Sequence, residues 1–406
     1  MKKVNNIRKT ITKEKMNLIS ENLYLAVLAV FVGCAFLQTT TFVIEWPEYF
    51  LSDLHVLIIV IIFIRIAFVN DYDLKEVFIL AGIAILFLMV WYRTGKDVIL
   101  DTLLLIIGSR GISFQKIIKV YEITVIVLLL VTIAASLTGF TENLVYYQEG
   151  RRPRVSFGIV YPTDFSAHVF YVILGYGYLR KDKIKYMEIA GILLVGAAVY
   201  LFCDARVNTV CILFAGAVLS YLTFKNRSAE KKNSRYIMKG YWSGILAMSA
   251  VLCAGFMIVS TILYSSENRI LALLNRVINS RLTFGKKGID LFGFSLFGKY
   301  IPMIGNGGTT KESANYFFLD CSYITIALEY GLLILGAVLI MYCMIGFRAR
   351  LERDWVFLWI LSIAAVQCMI EHHMIDISYN PFLWALFANT AVGHGNSSHR
   401  LRKDII

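Results

Sequence analysis

Apolar residues in this chain arrive in blocks of the length a bilayer demands, roughly 17–25 residues for one helical crossing. The blocks fall near 23–42, 54–69, 76–92, 98–108, 118–138, 165–180, 186–203, 207–224, 242–263, 321–346, 355–371 and 379–393. Ile, Leu, Val and Phe fill them without the strict alternation of a barrel strand, and the whole chain has only five prolines. The pattern therefore predicts helices. The expected fold is all-α: a polytopic helical membrane protein of about twelve transmembrane helices, with a range of roughly ten to thirteen. Two blocks depart from the pattern, since 98–108 is short and holds Asp101 while 165–180 is diluted by Ser, His and Gly.

Composition points the same way. The 406 residues are 58% hydrophobic and 17% charged, against about a quarter charged in a soluble domain, which argues against a large soluble helical fold. The net charge of +12 reports orientation first, because Lys and Arg collect in cytoplasmic loops. The basic N-terminal stretch 1–22 has no signal-peptide core or cleavage pattern, so the first span is expected to be retained. With that stretch cytoplasmic, Arg180 to Lys185, Lys225 to Lys239, Arg348 to Arg353 and the tail 394–406 with Arg400, Arg402 and Lys403 also fall inside. The first outer loop carries Glu45, Glu48 and Asp53 and no basic residue, and the turn with Asp71, Asp73, Lys75 and Glu76 is an acidic exception inside. Both termini are thus expected to be cytoplasmic, around a single integral membrane domain. Seven cysteines without a CxxC pair read as small apolar residues, with no disulfide framework or metal site implied.

This sidedness leaves two long segments outside, 139–164 and 264–320, and long ordered loops usually carry function. The first contains Arg151, Arg152 and Arg154, against the positive-inside bias. Arginine's planar fork matches phosphate oxygens; the other reading is a solvated loop paired with Glu149 and lipid headgroups. Between the seventh and eighth spans, Arg206 either pairs with Asp204 or points into a shared cavity. In the second segment, Ile270, Leu273, Leu274, Val277 and Ile278 recur at helical spacing, with Arg269, Asn275, Arg276 and Asn279 elsewhere around the helix. That is an amphipathic helix suited to the outer leaflet surface. Arg281 follows, then a glycine-spaced basic loop running to Gly305–Thr310, with no Walker motif.

Ser322, Thr325 and Glu329 share one face of the tenth span. A Glu in a span is a functional hypothesis by default, against a Glu close enough to the surface to be wet. Glu371, His372, His373 and Asp376 end the eleventh span. Adjacent histidines diverge on a helix, which argues against a metal pair and leaves one histidine as a base or an interfacial residue. The DxD of Asp71 and Asp73 falls on the cytoplasmic side, opposite the basic loops.

The order of these features resembles the Wzy-type polysaccharide polymerases, grouped with the O-antigen ligases. The resemblance rests on Arg152-Pro153-Arg154-Val155-Ser156-Phe157-Gly158 with Tyr161-Pro162, and on Ala205-Arg206-Val207-Asn208. Ser280-Arg281-Leu282 with Leu291-Phe292-Gly293 follow, then Leu319-Asp320-Cys321-Ser322-Tyr323 with Tyr330-Gly331-Leu332-Leu333, and last Tyr379-Asn380-Pro381-Phe382. It covers residues 150–385; Asp164 and Cys321 stand where such polymerases often carry Asn. It implies a GT-C-like fold that joins undecaprenyl-pyrophosphate-linked oligosaccharides into capsular or O-antigen-type polysaccharide at the outer face of a bacterial cytoplasmic membrane. The transfer it implies is inverting and metal-independent, with no cofactor and no nucleic acid, in company with flippase and chain-length regulator proteins. Arg152, Arg154, Arg206, Arg281 and Arg276, with Tyr323, are then the candidate substrate contacts, since arginines can stabilise the charge of a departing pyrophosphate. Asp320, Glu329 and His372 are the candidate bases. The rival readings are ligase-type transfer and a flippase for the same lipid-linked sugars. A flippase would carry two similar halves and deep charges in several spans, and no internal repeat is present.

Overall fold

The computed structural model describes residues 2–390 except Trp46, Glu48, Asn70, Asp71, Glu149, Arg235, Gly307, Lys311 and Glu312; for 2–14, Leu51, Ser52, Phe68, Val69 and Asp182 it describes the backbone only. The predicted tail 394–406 lies outside the described residues, as do Glu48, Asp71, Glu149 and Gly307 within the glycine-rich Gly305–Thr310 run. Fifteen α-helices follow one another among the described residues: α1 Lys2–Leu37, α2 Phe50–Ile64, α3 Leu74–Thr94, α4 Val98–Gly108, α5 Phe114–Leu137, α6 Pro162–Arg180, α7 Tyr186–Cys203 and α8 Arg206–Glu230. Then come α9 Gly240–Ala247, α10 Ser249–Ile262, α11 Arg269–Val277, α12 Arg281–Phe292, α13 Ser322–Thr325, α14 Leu332–Leu351 and α15 Trp355–Gln367. The strands β1 Val145–Tyr146 and β2 Arg154–Val155 form a small antiparallel hairpin with Tyr146 opposite Arg154.

Among the described residues six helices are long and apolar enough to cross a membrane: Lys15–Leu37 within α1, α3, α5, α7, α8 and α14. A seventh span results if α9 and α10, bent by 58° at Met248, count as one. The chain is an all-α membrane protein. The short block 98–108 is an eleven-residue helix, and α15 is likewise apolar but short. Of these, α15 is buried on nearly every side, as befits a helix that is apolar all round. It touches α6, α8, α9, α10 and α14 and forms the central post of the bundle.

The predicted helical span at 379–393 is corrected. Through Thr390 that stretch holds only a 3-10 segment, Phe382–Leu386, embedded among other helices. Asn380 is followed by Pro381, which lacks a backbone N–H and disfavours helix before it. The segment is apolar because it is enclosed: Phe382, Leu383, Trp384 and Ala385 are buried. Irregular backbone at such depth is tolerated only inside protein, and here Arg348 donates to the carbonyls of Ala385 and Ala388. The acidic turn before α3 also has a local cause. Asp73 caps α3 in a reciprocal box with Glu76, and Glu76 pairs with Arg110 at 2.9 Å.

Inter-loop contacts divide the connections between two ends of the bundle. At one end Thr40 bridges to Ile159, Arg93 donates to the Gly298 carbonyl, and Arg281 donates to the Ile370 carbonyl. At the other, Arg65 donates to Gly108 and Arg110, Lys181 pairs with Asp354, and Asn389 bonds Phe114. Both long loops of the sequence lie at the first end. There the chain breaks α13 from α14 through a π-turn, Ile326–Tyr330, ending at Gly331 with φ +91°. Leu332 and Leu333 donate to Ser295 and Leu296, so the loop backbone lies directly against the break. A Cβ on Gly331 would overlap the Gly298 backbone, which fixes glycine at that crossing.

A second close approach lies between α5 and α6. Glu122 is buried with no hydrogen-bond partner among the described residues on either carboxyl oxygen, and its Oε1 occupies the space a Cβ on Gly175 would take. Gly175→Ala is expected to destabilise the fold by about 1 kcal/mol, the low end of overpacking because the end of the Glu122 side chain can turn aside, read as a lower thermal midpoint in detergent. Adding Glu122→Ala removes the overlap and should restore the midpoint. A single variant as stable as the parent would contradict this packing.

Candidate functional site

The site assembles at the loop-rich end, where the β1–β2 hairpin, the start of α12 and the segments before α13 and after α15 converge. Arg281 opens α12. Its Nη1 lies 2.8 Å from Asp320 Oδ2 and its Nε donates to the Ile370 carbonyl at 2.9 Å. The Asp320 contact is at ion-pair distance without hydrogen-bond alignment. Burial raises the Asp320 carboxyl above its ordinary range, although Arg281 and His372 pull it down.

Glu371 lies four residues beyond the end of α15. Its main chain is fixed: the carbonyl accepts from Ser322 Oγ at 2.6 Å and from the Ser322 amide at 3.3 Å. Its carboxylate is buried and carries no hydrogen bond or ion pair among the described residues. Burial pushes that carboxyl up to about 7; Arg281 and Arg154 oppose the rise and Asp320 adds to it. Arg154, on β2, donates from Nε to the Cys203 carbonyl at 3.2 Å, and its guanidinium pKa is lowered by burial and by Arg151 nearby. Glu371 is thus an uncommitted carboxylate in the field of two guanidiniums. Asp164, in the first turn of α6, faces Glu371, Asp320 and Asp376, so four acids share this region with two arginines.

The neighbouring histidines do not diverge as expected, because α15 has already ended at Gln367. The rings of His372 and His373 lie 4.4 Å apart, and possible ligand atoms of Glu371, His372 and His373 fall within 4.8 Å of one another. A cation at that point would be opposed by Arg281 and Arg154, which both act on Glu371. His373 stacks at 3.7 Å on Tyr379, whose other face stacks at 4.0 Å on His168. Neither His373 ring nitrogen has a partner among the described residues, and burial holds this imidazole well below its ordinary pKa, therefore neutral.

The remaining expected residues take other places. Arg151, not Arg206, makes the tighter contact with Asp204, at 2.7 Å against 3.3 Å. Burial would raise Asp204, but its bonds to Arg151 and Arg206 outweigh this and hold it below the ordinary carboxylate range. That clamp ties the hairpin to the α7–α8 turn, and Arg206 itself is 57% exposed. Arg152 lies over the Tyr200 ring at 5.2 Å. Arg276 is exposed on α11. Tyr323 is fully buried and donates to the Ala365 carbonyl, a packing role inside the bundle. Glu329 sits in the π-turn with Lys96 at 3.9 Å, apart from the Arg281–Asp320 pair in its contacts. His372 abuts Phe318 and acts electrostatically on Asp320. Of the predicted residues, the structure brings together Arg154, Arg281, Asp320 and His372. It adds Glu371 and Asp164; the signal for Glu371 was an acid at a span end beside two histidines, where the histidines drew the attention.

Comparison with family models, with curated proteins and with solved structures finds no match to this chain.

Proposed function

We propose that the chain joins lipid-pyrophosphate-linked oligosaccharide units into a polysaccharide, at the outer face of a bacterial cytoplasmic membrane and on about twelve crossings. The observation that carries the reading is Glu371, a buried carboxylate with no bonding partner among the described residues, in the field of Arg154 and Arg281. Such a constellation suits an acceptor hydroxyl on the acid and a departing diphosphate on the guanidiniums. In the reaction, the acceptor oxygen attacks the anomeric carbon of the donor sugar from the face opposite the leaving group. The new glycosidic C–O bond forms as the bond to pyrophosphate breaks; the lipid pyrophosphate leaves with the electron pair and Glu371 takes the hydroxyl proton. Asp320, held by Arg281, then orients that arginine, and Arg154 supplies the second positive group.

The clustering of Arg154, Arg281 and both long loops at one end supports placing that end outside, where lipid-linked units would meet the site. In a cell lacking its own copy, the wild-type chain should restore long surface polymer, while Arg154→Ala should leave single repeat units on their carrier outside. Units retained on the inner face would instead point to a flippase, and full-length polymer from Arg154→Ala would remove Arg154 from the reading.

A further inference from the structure

The α11 helix carries two apolar faces. Leu271, Leu274 and Ile278 turn inward, while Ile270, Leu273 and Val277 form an outward stripe that is 79%, 60% and 66% exposed. Three such side chains at i, i+3 and i+7 lie along one line of a helix. Arg269 and Arg276 flank that stripe by the same spacing, and the helix contains no acid. The stripe continues an exposed apolar band, since Val259 and Ile262 of α10 and Leu263 just after it are exposed and the link 263–268 leads straight into α11. Apolar residues flanked by arginines at the end of a span match the boundary between acyl chains and phosphates.

A clamp joins this helix to the site. Asn275, buried on α11, accepts from the amides of Leu282 and Thr283 in the first turn of α12 and donates to Tyr264 and to the Thr283 hydroxyl. Two residues with positive φ, Asn279 at 51° and Ser280 at 64°, make the turn between the helices, and the Ser280 amide returns to the Asn275 carbonyl at 2.8 Å. Arg281 is the next residue.

We infer that α11 is an interfacial helix that binds anionic phospholipid headgroups through Arg269 and Arg276 and, through Asn275, sets the position of Arg281. The lipid contact is independent of the proposed reaction; the effect on activity rests on it. The test places an environment-sensitive fluorophore on Leu273→Cys in the full chain. The chain is reconstituted in phosphatidylcholine vesicles with and without phosphatidylglycerol, and wild type is taken through the same labelling as background. The expected emission is blue-shifted, quenched by lipids carrying a nitroxide near the headgroup, and further shifted by phosphatidylglycerol. Arg269→Ala with Arg276→Ala should abolish that last shift. Water-like, unquenched emission overturns the lipid contact. So does shielded emission that lipid nitroxides leave untouched, which would show protein covering the stripe.

Asn275→Ala should keep the probe in lipid yet lower polymer yield on the order of 10–100-fold, the range set by misplacing a reacting group by about 1 Å. Unchanged yield overturns the coupling. If wild type itself makes no polymer, the reaction fails while the quenching result still decides the lipid contact.

Discussion

Glu371→Gln is expected to abolish chain extension while leaving the fold intact. The substitution keeps the size of the side chain and both bonds to the Glu371 carbonyl, so the thermal midpoint should hold. What it removes is the proton acceptor, and general base catalysis contributes on the order of 10²–10⁴-fold. The pH dependence provides a second readout. The carboxyl titrates at about 7 because burial disfavours its charged form, and only the ionised form takes a proton. Wild-type extension should therefore rise as pH increases through about 7 and fall roughly tenfold per unit below it. Residual activity of the Gln variant should not follow that curve. A variant as active as wild type, or a wild-type profile flat between pH 6 and 8, would exclude Glu371 as the base.

Arg281→Ala is expected to produce the second large loss. Removing one preorganised donor from a site where charge develops costs about 2.7–4 kcal/mol of transition-state stabilisation, or 10²–10³-fold. It also strips the ion pair from Asp320, a half-buried acid whose pKa burial already raises. Loss of stability and loss of catalysis therefore need separating. Arg281→Ala with Asp320→Asn removes the Asp320 charge that the single variant leaves without its ion pair, so stability should recover while extension stays down. Arg281→Lys keeps a charge near Asp320 but gives up the two-pronged hold on Asp320 and the Ile370 carbonyl, and it should rescue only in part. Recovery of extension in the double variant would mean that Arg281 acts only by neutralising Asp320.

The sequence made the membrane class, α11 and the Arg281-containing loop legible, because each leaves a periodic or charge-based trace. Ile270, Leu273 and Val277 announce their helix by spacing alone. The last predicted span failed for a physical reason: residues 379–390 are apolar because protein encloses them, and hydropathy does not distinguish enclosure by helices from contact with lipid. Asp73 of the DxD, expected on the side opposite the basic loops, serves a helix cap, which needs the same residue type. Glu371 was visible as a residue but not as a site. Its distinction lies in having no partner among the described residues while Asp320 and Glu329 have theirs, and pairing across such distances in the chain is set by the fold. The converging histidines belong to the same class, because their geometry depends on where α15 stops.

The most direct test is extension by the purified chain in liposomes. A fluorescent repeat unit on lipid pyrophosphate is supplied as donor and acceptor, and products are sized on gels alongside released lipid pyrophosphate. The expected result is a ladder of products with one lipid pyrophosphate released per bond formed, lost in Glu371→Gln and Arg281→Ala. Units carried across the bilayer without being joined, or a ladder unaffected by both substitutions, would contradict it.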